Sequence, residues 1–152
     1  MKMIDVGSKE STHRIALASG AVHLSPATLR KIAAGEIEKG DVLATARLAA
    51  IMAAKRTPDI VPLCHPIGLT AVVPELTLDE AASAVRVQVR VETRDRTGVE
   101  MEALTAVSAA CLTVYDMCKS VDPGMTIEAV RLEEKHGGKN GSWIRSTPQP
   151  GT

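Results

Sequence analysis

The stretch Thr97–Lys119, TGVEMEALTAVSAACLTVYDMCK, constrains this chain more than any other. It has no proline and is rich in good helix formers, and Thr97 with Glu100 three residues on fits a capping box, so the spacing predicts one helix. Such a helix is about 33 Å long, the width of a small domain. Steps of 100° from Glu102 gather Thr105, Ser108, Thr113, Asp116 and Lys119 into one stripe, opposite Leu104, Val107, Cys111, Val114 and Cys118. Exposed helix faces usually intersperse Lys and Glu, so a stripe of small hydroxyls charged only at its ends reads as a surface that something covers. Asp116 and Lys119 are neighbours in the last turn, whereas Glu102 lies about 21 Å back along the axis. One helix cannot bring them together; a shared site needs a second chain or a long loop. The plainer alternative is that Lys119 complements the helix C-terminus and Asp116 pairs with it.

Composition narrows the partners. The chain has 152 residues, enough for one domain with a sizeable core, and 18 basic residues balance 18 acidic ones. With no net field to attract nucleic acid, any anionic ligand must be caught locally. Tyr115 and Trp143 are the only aromatic residues, so there is no platform for stacking bases, and the core must be built from Val, Ile, Leu, Ala and Met. Cys64, Cys111 and Cys118 form no C-x-x-C pair, and the opening residues do not resemble a signal peptide, which points to a reducing cytoplasm. The longest uncharged part of the main helix, Ala103 to Tyr115, is too short to span a bilayer. We therefore expect a soluble protein with neither nucleic-acid nor membrane partners.

In chain order, Arg14 to Leu24 reads as a strand interrupted near Gly20. Ser25 caps and Pro26 opens a short helix that Gly35 ends. Asp41 caps a second, Ala-rich helix that Thr57-Pro58 stops. Prolines then leave Leu63-Cys64-His65 on a stiff, held loop. Leu69 to Leu78 is a strand that Pro74 marks as an edge or bulge, and Asp79 to Ala84 is a turn. Val85, Val87, Val89 and Val91 alternate with Arg86, Gln88, Arg90 and Glu92 in the clearest strand of the sequence. After the main helix, Asp122-Pro123-Gly124 is a turn and Thr126 to Lys135 a last, less regular strand. Residues 1–141 read as a single domain, and 142–152 as part of a glycine- and proline-rich mobile tail. The order strand, helix, helix, strand, strand, helix, strand predicts an α+β fold: a ferredoxin-like sandwich, with an antiparallel sheet packed with helices and one additional helix.

Three groups of side chains are candidates for chemistry. Adjacent Cys64 and His65 are poorly placed to chelate one metal, and His13, His23 and His136 show no ligand spacing, so no metal site is expected. A proline-stiffened substrate-contact loop fits them better than a thiol nucleophile does, and better than a mere connection only with further support. Lys39, beside Gly40 and a helix start, and Lys139, in GGKNG, suit a phosphate, although neither matches a phosphate-loop motif and both could be plain surface lysines. Glu100 and Glu102 point about 160° apart on a helix, so at most one joins the Asp116 stripe.

Together, KGDVLATAR, AAKRTPDIVPLCHP, TGVEMEALTAVSAA, YDMCK and RLEEKHGGKNG resemble the MoaC family, the cyclic pyranopterin monophosphate synthases of molybdenum cofactor biosynthesis. MIDVGSKESTHR resembles the family's start, with Gly7 where a serine is usual. The resemblance implies a lyase that rearranges 3′,8-cyclo-7,8-dihydroguanosine triphosphate to the tricyclic pyranopterin with a cyclic phosphate, releasing pyrophosphate. It also implies a ferredoxin-like fold and a homohexamer, a trimer of dimers, with each site between two chains. The family's acid/base aspartate falls on Asp116 and its catalytic lysine on Lys119. Its substrate contacts fall on Leu63, Cys64, His65, Met101 and Glu102, and Lys39, Glu100 and Lys135 match further functional positions. No protein-bound cofactor is expected, and any Mg²⁺ arrives with the triphosphate. Two other readings remain open: a non-catalytic nucleotide-binding protein using the same pocket, and a thiol hydrolase using Cys64.

Overall fold

A computed structural model describes residues 1–146. The elements in order are β1 (Thr12–His23), α1 (Pro26–Ala34), α2 (Val42–Ala54), α3 (Thr57–Ile60), β2 (Leu69–Asp79), β3 (Ala84–Asp95), α4 (Glu100–Cys118), β4 (Thr126–His136) and β5 (Trp143–Ile144). The strands form one antiparallel sheet in the order β2-β3-β1-β4-β5. Strand β3 lies between β1 and β2, and β1 lies between β3 and β4, so two split β-helix-β units interlock as in a ferredoxin-like sandwich. The expected α+β architecture is the one observed, with α1 as the additional helix.

Each strand sits where its chemistry allows. The alternation in β3 buries Val85, Val87, Val89 and Val91 against the helices and leaves Arg86 and Gln88 exposed on the other face. Pro74, which lacks a backbone N–H, is tolerated because β2 is an outer strand. Strand β1 runs unbroken through Gly20, where an interruption is expected. Glycine is needed there because a Cβ would lie 2.8 Å from Val107 Cγ1 of α4. Opposite Gly20 the β1–β4 register shifts, and Ala129 takes a positive φ of 53° at the bulge.

Helices α2 and α4 pack on one face of the sheet through small side chains. Ala46, Ala50, Ala103, Ala106 and Ala110 are fully buried, so the helices approach closely and burial is gained without large rings. Ser25 caps α1 by accepting from the Thr28 N–H, Gly35 closes it in the left-handed region, and the Asp41 side chain accepts from Ala44 N–H at the start of α2.

The structure differs from the sequence reading at three further places. The four-residue helix α3 follows Arg56, with Pro58 in its first turn. The expected capping box is absent: α4 starts at Glu100 after Val99, which makes no side-chain cap. Trp143 and Ile144, expected in the tail, pair with Lys135 and Glu134 of β4 as β5. Residues 147–152 of that expected tail lie outside the described residues.

Candidate active site

The loop between α3 and β2 is held at both ends. Thr57, fully buried, donates its hydroxyl to the carbonyls of Ala53 and Ala54 at the end of α2. Cys64 N–H closes a tight turn onto Val61 O at 3.1 Å, and Thr93 Oγ1 of β3 donates to Gly68 O at 2.6 Å. This fixes Leu63, Cys64 and His65 beside the start of α4. There they line a pocket of about 530 Å³ with Met101, and Lys2, Ile4 and Lys9 of the opening segment form its other wall.

Behind the pocket Glu102 is 2 % exposed, on the inner flank of α4 rather than at the head of the hydroxyl stripe. Its Oε1 accepts from Cys64 Sγ at 3.7 Å, and its Oε2 has no partner among the described residues. Burial raises the Glu102 pKa, because a carboxylate out of water is costly. The Cys64 thiol is pushed up to about 11, by burial first and then by the Glu102 charge. A thiol so disposed is a proton donor to its neighbour and a poor nucleophile at neutral pH. Two residues earlier, Glu100 takes the Lys135 ammonium of β4 at 3.1 Å and folds back over Gly98, where a Cβ would meet its carboxylate. The carboxylate that would have closed a capping box is therefore engaged in a cross-element ion pair.

The other end of α4 has the opposite character. Asp116 is exposed, and two ammonium groups grip it: Lys39 at 2.7 Å from Oδ2 and Lys119 at 2.8 Å from Oδ1. Lys39 is brought there by the turn between α1 and α2, anchored by buried Ile37 and opened by Gly40 at φ 108°. It also donates to the Asp116 carbonyl at 3.3 Å, a favourable place for a cation at a helix C-terminus. The hydrogen bonds from Lys119 and Lys39 hold the Asp116 pKa down to about 2, and the same carboxylate raises that of Lys119. At neutral pH this is an anion between two cations.

The sequence-expected site residues thus fall into two groups. Leu63, Cys64, His65, Glu100, Met101, Glu102 and Lys135 gather around the start of α4, and Lys39, Asp116 and Lys119 gather at its end, with about 21 Å of helix between Glu102 and Asp116. Along the outer face of α4, Ser108 and Thr113 return their hydroxyls to the carbonyls of Leu104 and Ala109. That satisfies their polar atoms within the helix and leaves this face without charge between its ends. Leu112 of α4, with Leu48 and Met52 of α2, adds large exposed apolar side chains to the same helical layer.

The opening of this chain through its glycine turn, residues 3–138, matches the model of the MoaC family. The chain belongs to the MoaC family. Among its relatives, a protein of Roseiflexus sp. (strain RS-1) is 56 % identical over 143 residues, covering 94 % of this chain and 90 % of the relative. A protein of Roseiflexus castenholzii is 57 % identical over the same shares. Both are named cyclic pyranopterin monophosphate synthase.

Against this family background, two basic side chains stand out that the sequence reading passed over. Lys9 lines the Cys64 pocket, and Lys9 and Arg14 also line a neighbouring one with Lys135 and Lys139. The available signal was strand pairing: the start of β1 and the end of β4 are antiparallel neighbours, with Ile15 opposite His136, which puts Arg14 beside the glycine turn that follows β4. Among the described residues no group of three or more His, Cys, Asp or Glu side chains is arranged to hold a metal, and no helix is long and apolar enough to cross a membrane.

Proposed function

We propose that the protein is a lyase of molybdenum cofactor biosynthesis that converts 3′,8-cyclo-7,8-dihydroguanosine triphosphate to cyclic pyranopterin monophosphate, releasing pyrophosphate. The observation that carries this reading is the 56 and 57 % identity, over 94 % of the chain, to two proteins named for that activity.

In this reading Asp116 and Lys119 are the acid/base pair. Lys119, kept charged by Asp116, acts first as a proton donor as the five-membered ring of the purine opens, and Asp116 orients it and takes protons in turn. Leu63, Cys64, His65 and Met101 contact the substrate, Glu102 and Glu100 present one buried and one ion-paired carboxyl to it, and Lys39 and Lys135 contribute positive charge. The raised pKa of Cys64 speaks against a thiol hydrolase. Any Mg²⁺ arrives on the phosphates.

The two groups act on one substrate only if different chains supply them. The face of α4 with its hydroxyls bonded back to the helix, and the exposed Leu48, Met52 and Leu112, favour burial of this layer by another subunit, consistent with a homohexamer arranged as a trimer of dimers. With free Cys64, Cys111 and Cys118, the cytoplasm is the fitting compartment.

The test is pyrophosphate release from freshly prepared cyclic dihydro-GTP by the purified protein, with Asp116→Asn and Lys119→Ala beside it. Release by the unaltered protein that is lost in both variants is the expected result. Binding of the nucleotide without release would make the protein a nucleotide-binding one and overturn the lyase reading.

A further inference from the structure

Cys64 stands in the wall of the pocket beside α4, between Leu63 and His65, yet its thiol is turned to the carboxyl behind that wall. Sγ lies 3.7 Å from Glu102 Oε1, and among the described residues no other side chain donates to Glu102. Glu102 is 2 % exposed and its Oε2 has no partner among the described residues. One oxygen is thus tied to the loop and the other is left over. The orientation of a buried carboxyl with a single side-chain hydrogen bond depends on that bond, because no second donor restores it when the first is lost.

The loop holds the thiol at that distance through bonds that neither partner makes. Thr57 donates to the carbonyls of Ala53 and Ala54 at 3.3 and 3.1 Å, Cys64 N–H closes on Val61 O at 3.1 Å, and Thr93 Oγ1 reaches Gly68 O at 2.6 Å. The loop is thereby tied to α2 and to β3, and both of these elements pack on α4, which carries Glu102. Sulfur suits the position. A thiol loses little on leaving water and is a weak donor, so it orients a carboxyl without drawing down its proton affinity as a hydroxyl or an ammonium would. The surrounding charges leave that balance intact. Glu100 raises the proton affinity of Glu102 and is itself held by Lys135 of β4, while Lys2, Lys9 and His65 line the pocket on the far side of Cys64.

We propose that Cys64 is a positioning residue for the reaction: its thiol fixes the Glu102 carboxyl through Oε1, leaves Oε2 as the oxygen available to the substrate, and acts on turnover through Glu102. The inference deepens the proposed function and rests on it, adding to contact with the substrate a second task for Cys64. No bond to sulfur forms or breaks, and Sγ keeps its proton throughout. Burial and the Glu102 charge, which hold the thiol at a pKa of about 11, favour that state.

The test has two arms, each run on full-length protein whose fold circular dichroism verifies. In the first, pyrophosphate release from cyclic dihydro-GTP is followed across pH for the unaltered protein, Cys64→Ser and Cys64→Ala. Loss of the donor in Cys64→Ala should lower kcat about tenfold with KM changed less than about threefold, and Cys64→Ser should recover most of the loss. A hydroxyl is the stronger donor, so the limb of the pH profile set by Glu102 should move to lower pH in Cys64→Ser. A serine variant no better than the alanine one, a profile that does not move, or full activity in Cys64→Ala would each overturn the assignment. The second arm needs no turnover: iodoacetamide labelling of Cys64, located by peptide mass mapping, in the unaltered and Glu102→Gln proteins, with buried Cys111 as internal control. Removing the carboxylate charge should speed labelling of Cys64 about threefold or more at mildly alkaline pH and leave Cys111 unchanged. Equal labelling of Cys64 in the two proteins would refute the pairing. Faster labelling in a protein that releases no pyrophosphate would instead sink the lyase reading and leave the thiol–carboxyl pair standing.

Discussion

The two ends of α4 each carry a carboxyl group of the proposed site, and the fold treats them in opposite ways. Glu102 is buried, faces a thiol and has its pKa raised; Asp116 is exposed, faces two ammonium groups and has its pKa held near about 2. One end is enclosed by its own chain, through the pinned Cys64 loop and the opening segment. The other is open, with Asp116, Lys39 and Lys119 each about half exposed. Two carboxyl groups whose surroundings push their pKa values apart are useful to one reaction when they face the same substrate. The contrast shows that burial and neighbours, not residue type, set the opposite pKa shifts of the two carboxyl groups.

The largest expected effect breaks the open end. Lys119→Ala should lower turnover about 10²–10⁴-fold while changing nucleotide affinity by less than about tenfold, as expected when a proton-transfer group is lost. Single-turnover kinetics beside equilibrium binding separates the two quantities, and equal losses in both would make Lys119 a binding group. A mixing experiment sharpens the comparison further. If the two ends meet only between chains, Lys119→Ala and Glu102→Gln proteins, each inactive, should regain activity when unfolded and refolded together. Random pairing at equal amounts restores about a quarter of the sites. No recovery, in assemblies that mass spectrometry shows to be mixed, would place both groups in a single-chain site.

Much of the scaffold was legible because local signals agreed with the fold. The valine alternation of β3, Pro74 in an outer strand, Ser25-Pro26 and Gly35 around α1, and Asp41 before α2 each act through backbone chemistry within a few residues. The misses involve partners distant in sequence. Thr97 and Glu100 have the spacing of a capping box, but Lys135 of β4 draws Glu100 away. Glu102 looks like the head of a polar stripe until Cys64, 38 residues earlier, is placed against it. Arg14 reads as an ordinary strand residue until the pairing of β1 with β4 lays it on Gly138. The two-residue β5 and four-residue α3 are too short to leave a periodic signal.

A smaller effect tests the frame that holds the two ends apart. Gly20→Ala places a Cβ 2.8 Å from Val107 Cγ1 and 3.2 Å from Val130 Cγ2, so α4 and the β4 bulge must give way. Denaturant unfolding should report a loss of about 1–3 kcal/mol. An unchanged midpoint would mean that α4 rests less firmly on β1 than the contact implies.

The smallest effect concerns the closed end and has a definite sign. Glu102 has a raised pKa in the folded chain, so between its unfolded and folded values the native state binds more protons than the unfolded state. Its contribution therefore favours the fold at low pH and is lost as pH rises through the folded pKa. Asp116 acts in the other direction: its stabilisation is present above the unfolded value and is lost as pH falls toward about 2. Glu102→Gln removes only the first of these. Compared with the unaltered protein, the variant should melt higher at pH 8, and this advantage should shrink as pH falls to 4, below the ordinary Glu range. Thermal unfolding at the two pH values measures the difference directly. A variant less stable at pH 8 would mean that Glu102 is ionised and well paired in the assembled protein, which would erase the contrast between the two ends of the helix.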